Sequence, residues 1–334
     1  MKEVLNSLFE YKILNKKTAK EILKNLAQGA YNNSQVASFL TVYLMRSITV
    51  DELEGFREAM RELCISIDLS DYSPMDLCGT GGDGKDTFNI STLSSFVVAA
   101  AGQPVAKHGN NSVSSICGSS NLLSYFGINF TNKEDLLRKS IDSCGICYLH
   151  APLFHPAMKN VAPIRKELGV KTFFNMLGPM VNPALVKKQL VGVFSLELAR
   201  LYGYLYQRSD SDFAIVHSLD GFDEISLTDG FKVILKDQEK LIYPRELGLE
   251  TFREKELHGG NTVDEAASIF LNILKGKGTE AQTQVVTANA GLALYAGKFC
   301  NSIEEAIGLA REMILSGKAI ATFRKFVELN KNGS

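Results

Sequence analysis

The sequence predicts an α/β protein with a small, all-helical N-terminal domain and a large domain built around a central, mostly parallel sheet. In residues 1–70, apolar residues recur with the three- and four-residue spacing of amphipathic helices. From residue 74 onward, short apolar runs alternate with glycine-containing loops and helical segments, a rhythm typical of a sheet whose loops gather at the strand ends. We therefore assign residues 1–72 to the helical domain, with a contribution from about 163–182, and residues 73–334 to the α/β domain.

The overall composition excludes several classes of protein. The 334 residues are 45% hydrophobic and 22% charged, as in a globular chain with a sizeable core. A net charge of −1 provides no general attraction to nucleic acid or to an anionic membrane, so we expect neither as a partner. No apolar run approaches the roughly 18 residues of a transmembrane helix, and the N-terminus lacks the features of a secretion signal. Six cysteines without a framework spacing indicate reduced thiols in a cytoplasmic protein.

Three apolar stripes predict three helices in the N-terminal part. The third follows a capping box formed by Thr49 and Glu52. No catalytic grouping lies within them, so we interpret their apolar faces as packing surfaces, including a surface for contact between subunits. The stripes are Ala19, Ile22, Leu23 and Leu26; Val36, Phe39, Leu40, Tyr43 and Leu44; and Leu53, Phe56, Met60 and Leu63.

The main functional signal is a glycine-rich loop at residues 79–84, which follows a short apolar strand and precedes an Ala- and Val-rich helix. Such a loop leaves backbone N–H groups free to converge on an anion, and the helix N-terminus behind it adds favourable partial charge. The loop almost matches the dinucleotide fingerprint, but no acidic residue lies between Thr87 and Lys133 to hold a ribose. It also almost matches a Walker A loop, but Asp86 occupies the Ser or Thr position. The pattern therefore predicts a phosphate site that is not a nucleotide-cofactor site.

Two further segments carry groups suited to an anion. Lys107 stands at a predicted strand end before Gly109 and Asn110, and it suits a phosphate contact, with a solvated surface lysine as the alternative. A hydroxyl-rich loop follows at residues 112–121 and has the same potential, although Ser119 or Ser120 also suits a helix N-cap.

Adjacent carboxylates at Asp223 and Glu224 follow an apolar strand at residues 213–217. Mg²⁺ favours one or two carboxylates together with substrate phosphate oxygens, so this pair suits a magnesium site, with a charged hairpin tip as the alternative. Arg165 offers a planar fork for a carboxylate, although the neighbouring residues by themselves favour an ordinary surface arginine in a helix. We interpret Cys144, Cys147, His150 and His155 as neither a zinc site nor a redox pair, because the spacing is too short and no helix begins there.

Taken together, six segments resemble the anthranilate phosphoribosyltransferase family in their order and spacing: residues 79–84, 87–92, 107–110, 154–158, 174–179 and 220–224. The resemblance implies a homodimer whose subunit has a small helical domain and a large α/β domain of the nucleoside-phosphorylase type. It also implies transfer of phosphoribose from phosphoribosyl pyrophosphate to the amine of anthranilate, with Mg²⁺, in tryptophan biosynthesis.

The resemblance also implies roles for individual residues. Mg²⁺ is expected at Ser91, Asp223 and Glu224, and anthranilate at Gly79, Asn110 and Arg165. No general acid or base is assigned, since an arylamine is already neutral near pH 7 and positioning with leaving-group stabilisation accounts for the chemistry. The residues expected to bind phosphoribosyl pyrophosphate are Gly79, Gly82, Asp83, Thr87, Asn89, Ile90, Ser91, Thr92, Lys107, His108, Gly109, Asn110, Ser114, Ser115 and Ser119.

The chain departs from the family pattern at four positions. Asn111 replaces a usual Arg, Ile116 and Cys117 replace a Lys-Ser pair, and His150 replaces an aromatic residue. With two positive charges fewer, we expect weaker binding of phosphoribosyl pyrophosphate or a shifted acceptor preference. The alternatives are a nucleoside phosphorylase of the same fold and a non-catalytic nucleic-acid-binding relative, and the near-neutral charge argues against the second.

Overall fold

A computed structural model describes residues 1–112 and 116–331 of the chain, and it divides into two compact units. The first unit comprises Met1–Ile67 and Ala151–Leu185, and the second comprises Asp68–His150 and Val186–Ser334. Among the described residues, no helix is both long and apolar enough to cross a membrane.

The described residues form fifteen α-helices. Five short 3₁₀ segments separate some of them. In chain order the helices are α1 (Lys2–Phe9), α2 (Lys16–Ala27), α3 (Asn33–Met45), α4 (Val50–Glu62), α5 (Ile90–Ala100), α6 (Ser119–Tyr125), α7 (Glu134–Cys144), α8 (Ala151–Phe154), α9 (Ala162–Leu168), α10 (Phe174–Leu177), α11 (Leu196–Gln207), α12 (Val263–Leu274), α13 (Glu280–Ala296), α14 (Ile303–Leu315) and α15 (Lys318–Lys331).

The second unit is organised around one seven-stranded sheet with the order β3-β2-β1-β4-β5-β6-β7. The first five strands in this order are parallel, and β6 and β7 are antiparallel. The chain builds β2 and β3 on one side of β1 and then crosses to add β4 on the other side. The carboxyl ends of β1 and β4 therefore flank the switch point where α/β sheets bind ligands. The predicted fold class is confirmed. The strands are β1 (Met75–Gly79), β2 (Val105–Gly109), β3 (Ile146–His150), β4 (Lys188–Gly192), β5 (Asp212–Ser218), β6 (Phe231–Ile234) and β7 (Glu239–Ile242).

The core of this unit lies between the sheet and two buried helices. Helix α5 packs on β1 and β2 and also against α13 and α15, and nearly all of its side chains are buried. Helix α13 is buried along most of its length, which explains why its apolar residues surround the helix instead of forming one stripe. Since α5 is fixed on both sides, its N-terminus is held rigidly at the end of β1.

The helical unit contains the three predicted stripes. Phe39 and Phe56 are fully buried, and each packs edge-to-face with Tyr43. Phe173, from the later segment of the same unit, packs edge-to-face with Phe39 and stacks on Phe56. Leu44 was predicted to belong to this core but is 45% exposed, because α3 is apolar on more than one face and Leu44 lies on the outer one.

A buried carboxylate ties the starts of α2 and α4 to the end of α3. Glu52 is fully buried and accepts hydrogen bonds from the backbone N–H groups of Leu14 and Thr49, each at 3.0 Å, and from the Tyr43 hydroxyl at 3.2 Å. Arg46 forms an ion pair with it. Burial alone would raise the pKa of Glu52, but the hydrogen bonds from Arg46 and the two backbone groups outweigh it, so the pKa is lowered. The predicted capping box of Thr49 and Glu52 is confirmed.

Replacing Glu52 by Gln is expected to destabilise the protein by about 3 kcal/mol, because it leaves Arg46 without its counter-charge in a buried place. Since the folded-state pKa lies below the unfolded one, this stability is present above the ordinary glutamate pKa and is lost as the pH falls through the folded value. Urea unfolding at several pH values measures both effects. The control Glu62→Gln removes an exposed partner of Lys20 and Lys24 and should change stability far less. Equal losses in the two variants would contradict this assignment.

Candidate active site

The glycine loop connects β1 to α5 at the carboxyl edge of the sheet. Gly81, Gly82 and Gly84 adopt φ values of +65°, +79° and +76°, a region in which side chains with a Cβ are strained. No atom lies within 4 Å of the place that a Cβ would occupy at Gly81 or Gly84, so glycine serves backbone conformation there. Asp83 Oδ1 accepts the Lys85 N–H at 3.1 Å and tightens the turn. The loop thus leaves an open surface of backbone groups in front of the α5 N-terminus.

Glycines at the ends of β1 and β4 admit an acidic loop to this surface. Gly79 and Gly192 are register partners on the two adjacent strands. A Cβ on Gly79 would collide with the Asp223 carboxylate, and one on Gly192 would collide with the Asp223 carbonyl. Asp223 Oδ2 accepts the Gly81 N–H at 2.6 Å. The segment after β5 is therefore fastened directly to the glycine loop.

The two predicted metal ligands lie next to each other beside the loop. Asp223 is buried and Glu224 is half-buried, and Glu224 Oε1 accepts the Ser91 N–H in the first turn of α5 at 3.3 Å. Burial, followed by repulsion from Asp83, raises the pKa of Asp223 to about 7. Burial, followed by repulsion from Asp223 and Asp83, raises the pKa of Glu224. Such a concentration of carboxyl oxygens is unfavourable by itself and would be relieved by a cation.

The donor set fits Mg²⁺ in particular. Hard carboxylate and hydroxyl oxygens suit this ion, and Mg²⁺ characteristically takes one or two protein carboxylates and completes its shell with water and phosphate oxygens. The described residues contain no group of three or more His, Cys, Asp or Glu side chains that holds a metal unaided. The arrangement therefore matches an ion that arrives with a phosphate-bearing ligand.

Lys107 is buried beneath the helix N-terminus. It is 2% exposed on β2, and its Nζ donates to the Leu77 carbonyl at 2.6 Å and to Ser91 Oγ at 3.3 Å. Burial lowers the pKa of Lys107, and the nearby carboxylates of Asp76 and Glu224 offset part of this effect. The alternative of a solvated surface lysine is wrong, because β2 is an interior strand and carries Lys107 into the sheet. Lys107 therefore places a positive charge behind Ser91.

Sequence reasoning missed Asp76, whose fully buried carboxylate balances this lysine. Asp76 Oδ1 accepts the His108 N–H at 3.1 Å, so it also fixes β2. A single acid inside an apolar strand is unusual, but nothing in the sequence indicated its partner on β2. Reasoning from sequence also missed residues 258–260, which pair with the glycine loop through a bridge from Thr87 to His258. A Cβ on Gly259 would collide with the Thr87 carbonyl, and Gly260 adopts a φ of +93°, so each glycine of the pair has its own reason.

The second predicted loop adjoins the first. Asn89 Nδ2 donates to the Cys117 carbonyl at 2.8 Å, and the Asn110 carbonyl accepts the Ser120 N–H at 3.2 Å. The N-cap of α6 is Gly118, so the alternative in which a serine caps this helix is wrong. Ser114 and Ser115 lie outside the described residues. Asn111 is exposed, and its N–H donates to Asn110 Oδ1 at 2.8 Å.

The remaining predicted residues occupy several environments. Thr92 and Ile90 are buried in α5, whereas Gly82 and Thr87 are half-buried in the loop. Gly109 ends β2 and lies against Tyr148 and Ser119.

Arg165 belongs to the helical unit, where it lies on α9. Its Nη2 donates to Asn175 Oδ1 at 3.2 Å, and its guanidinium lies 5.3 Å from the centre of the Phe174 ring. Burial lowers the pKa of Arg165. These contacts orient the guanidinium plane and leave it further donors for a planar anion.

Replacing Gly192 by Ala is expected to displace the loop that carries Asp223, because the new methyl group would overlap the Asp223 backbone. We expect a loss of about 1–3 kcal/mol in unfolding free energy and weaker binding of magnesium pyrophosphate. Thermal unfolding and calorimetric titration measure these effects. The matched control is Gly308→Ala on the exposed face of α14, where no atom lies within 4 Å and a gain of up to about 1 kcal/mol is expected. Unchanged stability and binding in Gly192→Ala would refute the packing argument.

Comparison with known proteins identifies the family. Residues 71–320 match the model of the glycosyl transferase family a/b domain, and residues 2–64 match that of its helical bundle domain. An anthranilate phosphoribosyltransferase from Flavobacterium johnsoniae is 58% identical over 99% of this chain and 100% of its own length. The crystal structure of anthranilate phosphoribosyltransferase from Thermus thermophilus superposes with a TM-score of 0.92 at 33% identity, covering 98% of this chain and 99% of that one.

A third comparison concerns ligands. The Saccharomyces cerevisiae enzyme in complex with PRPP and Mg superposes with a TM-score of 0.85 at 26% identity, covering 95% of this chain and 93% of that one. The similarity thus extends across both units and over nearly the whole length of the proteins compared. This chain therefore belongs to the anthranilate phosphoribosyltransferase family.

Proposed function

We infer that this protein transfers the phosphoribosyl group of 5-phosphoribosyl 1-pyrophosphate to the amine of anthranilate, giving N-(5-phosphoribosyl)anthranilate and pyrophosphate in L-tryptophan biosynthesis. The observation that carries the inference is the fastening of Asp223 and Glu224 to the glycine loop and to the first turn of α5. This arrangement combines anion-binding backbone with metal-binding carboxylates at one sheet edge, as a magnesium-pyrophosphate leaving group requires.

The residues act mainly on the leaving group. The amine nitrogen bonds to C1 of the ribose, the C1–oxygen bond breaks with its electron pair passing to pyrophosphate, and the amine then releases a proton. The loop N–H groups, with Ser91 and Thr92 at the helix N-terminus, stabilise the negative charge that develops. Ser91, Asp223 and Glu224 are proposed to hold Mg²⁺, which when bound neutralises charge on the pyrophosphate oxygens. The buried Lys107 adds a fixed positive charge behind them.

We propose that the protein positions the acceptor, anthranilate, and supplies no general acid or base. Arg165 offers its fork to the anthranilate carboxylate, and Gly79 and Asn110 are proposed to contact the acceptor as well. Because the arylamine is neutral near pH 7, correct orientation of its nitrogen supplies most of what the step requires. A nucleoside phosphorylase would use inorganic phosphate and would have less need of the carboxylate pair.

Mixing the protein with anthranilate, phosphoribosyl pyrophosphate and Mg²⁺ is expected to abolish anthranilate fluorescence as product forms. Asp223→Asn and Glu224→Gln should each lower kcat/KM by about 10²–10³, because each weakens stabilisation of the leaving group. Both variants should also require more Mg²⁺.

Asp210→Asn is the matched control for this assay, since the Asp210 side chain is 93% exposed, and it should react at the wild-type rate. Absence of turnover in the wild-type protein would refute the proposed function, as would turnover that survives loss of both carboxylates. Phosphorolysis of a nucleoside in place of the anthranilate reaction would favour the phosphorylase alternative.

We also propose that the protein forms a homodimer through the helical unit. An apolar groove of about 450 Å³ lies along α1 and α3. Phe9, Tyr11 and Met45 border it and are 58%, 79% and 80% exposed, far more than is usual for such side chains. The charge of Arg46 at its edge is already compensated by Glu52. A second copy of this apolar surface would bury it without leaving an unpaired charge.

Substituting Met45 by Glu is expected to convert the dimer to a monomer, because it places a charge in the apolar groove. Analytical ultracentrifugation measures the effect. Leu315→Glu is the control, since Leu315 is 63% exposed on α14 in the other unit and should leave the dimer intact. A wild-type monomer, or an undiminished dimer in Met45→Glu, would contradict the proposal.

A cytoplasmic location is proposed on the basis of the thiols. All six cysteines lie within the described residues and are free. Burial raises the pKa of several, including Cys147, so these thiols are poorly reactive. This pattern is the one expected in a reducing compartment.

A further inference from the structure

A chain of hydrogen bonds joins Ser119, one of the residues proposed for the phosphoribosyl site, to His150 at the end of β3. Ser119 Oγ lies 2.8 Å from the Tyr148 hydroxyl, which lies 2.7 Å from Ser120 Oγ, which in turn lies 2.8 Å from His150 Nδ1. Ser120 is fully buried and Tyr148 is 5% exposed. The proposed transfer chemistry uses only the first of these four side chains, so the purpose of the other three is open.

The surrounding structure fixes the path of these hydrogen bonds. Parallel pairing of β2 and β3 places His150 opposite Gly109, and the missing Cβ of Gly109 leaves the space that Tyr148 and Ser119 occupy. The Phe130 ring stacks on the His150 ring with 4.4 Å between centres and also contacts Tyr148. Stacking on Phe130 sets the plane of the imidazole, and Nδ1 is the ring nitrogen that faces Ser120.

Each hydroxyl has a single proton to donate, so the hydrogen bonds from Ser119 to His150 have two possible arrangements, in which every donor and acceptor exchange roles. When His150 Nδ1 accepts, Ser120 donates to it, Tyr148 donates to Ser120, and the Tyr148 oxygen accepts the Ser119 proton. Ser119 then presents lone pairs to an incoming phosphate. When Nδ1 carries a proton, every bond reverses and Tyr148 donates to Ser119. The Ser119 proton then points away from Tyr148, toward the Asn110 carbonyl 3.3 Å away, and a phosphate oxygen competes with that carbonyl for it.

We propose that His150 is a positioning residue for the phosphoribosyl site, which through Ser120 and Tyr148 decides whether Ser119 donates a hydrogen bond to phosphate. The inference rests on the proposed function, since that function brings phosphoribosyl pyrophosphate to Ser119. Binding of the phosphate favours the form with a proton on Nδ1.

The pKa values of His150 and Tyr148 favour a change of tautomer at His150 over a change of its charge. Burial lowers the pKa of His150, so the ring is neutral near pH 7, and burial raises the pKa of Tyr148, so its proton is retained. The titratable groups facing the chain are Tyr148 itself and, acting on Tyr148, Asp76 from β1. No charged side chain of the described residues contributes to the pKa change at His150. Phosphate binding therefore selects between two neutral tautomers.

The first test is nitrogen NMR of the full-length protein with and without phosphoribosyl pyrophosphate and Mg²⁺, in the absence of anthranilate. Saturation should move the His150 signals toward the tautomer with the proton on Nδ1. His217, whose Nδ1 lies 2.8 Å from the Val193 carbonyl, is the internal reference and should not change. A His150 tautomer that is unchanged at saturation would overturn the proposal.

The second test is a double-mutant cycle on KM for phosphoribosyl pyrophosphate, with KM for anthranilate as the reference. His150→Phe keeps the stacking on Phe130 but removes Nδ1, the acceptor that orients the Ser119 proton toward Tyr148 and away from phosphate. Binding then no longer has to reverse the hydrogen bonds, so KM for phosphoribosyl pyrophosphate should fall roughly threefold, the size of a modest hydrogen-bond contribution. In a Tyr148→Phe background the same change should have no effect, because the chain is already cut. If Tyr148→Phe does not fold, Ser120→Ala cuts the chain between Tyr148 and His150.

An equal effect of His150→Phe in the intact and cut backgrounds would mean local packing alone and would overturn the inference. In that case the wild-type protein would still consume anthranilate, which separates this failure from that of the proposed function. Absence of both turnover and binding of phosphoribosyl pyrophosphate in the wild-type protein would overturn the two together.

Discussion

The close approach of Asp223 to the ends of β1 and β4 is the constraint on which the rest of the site depends. The approach is possible only because Gly79 and Gly192, which are register partners, both lack a Cβ. It brings a carboxylate to the Gly81 N–H and leaves Glu224 within reach of the α5 N-terminus. Helix α5 packs against both the sheet and α13, and this packing holds its N-terminus beside Glu224. The glycines that open the loop to an anion and those that admit the carboxylates thus belong to one packed arrangement.

This arrangement brings three carboxylates and one buried lysine into a small volume. Asp83, Asp223 and Glu224 repel one another, and burial together with the repulsion from Asp83 raises the pKa of Asp223 to about 7. Lys107, buried under Ser91, offsets only part of that repulsion, because it is shared with Asp76. A divalent cation and a pyrophosphate satisfy the site together: the cation relieves the carboxylates, and the phosphate oxygens find backbone donors. Either ligand alone leaves one set of groups uncompensated, which gives a physical reason for binding them as a complex.

Local signals in the sequence predicted the fold class and the elements around the loop, because hydrophobic periodicity and glycine spacing are properties of neighbouring residues. They misplaced Leu44, since α3 is apolar on more than one face, and they left Lys107 open between a surface and a buried position. Asp76, Tyr148 and His258 were missed because their roles arise from residues distant in the chain, through the pairing of β1 with β2, of β2 with β3 and of Thr87 with the segment at 258–260. Pairings of this kind leave no local pattern. His150 was considered as a zinc ligand and as a departure from a family pattern, and its contacts became visible only with the sheet register.

We infer that the glycine loop and the Asp223–Glu224 pair form one magnesium-pyrophosphate site. The sharpest test is a crystal structure of the protein with phosphoribosyl pyrophosphate and Mn²⁺, recorded at the manganese absorption edge. We expect an anomalous peak next to the carboxylates of Asp223 and Glu224, with the pyrophosphate against the backbone of residues 79–84. A pyrophosphate bound elsewhere, or a metal that touches neither carboxylate, would contradict it.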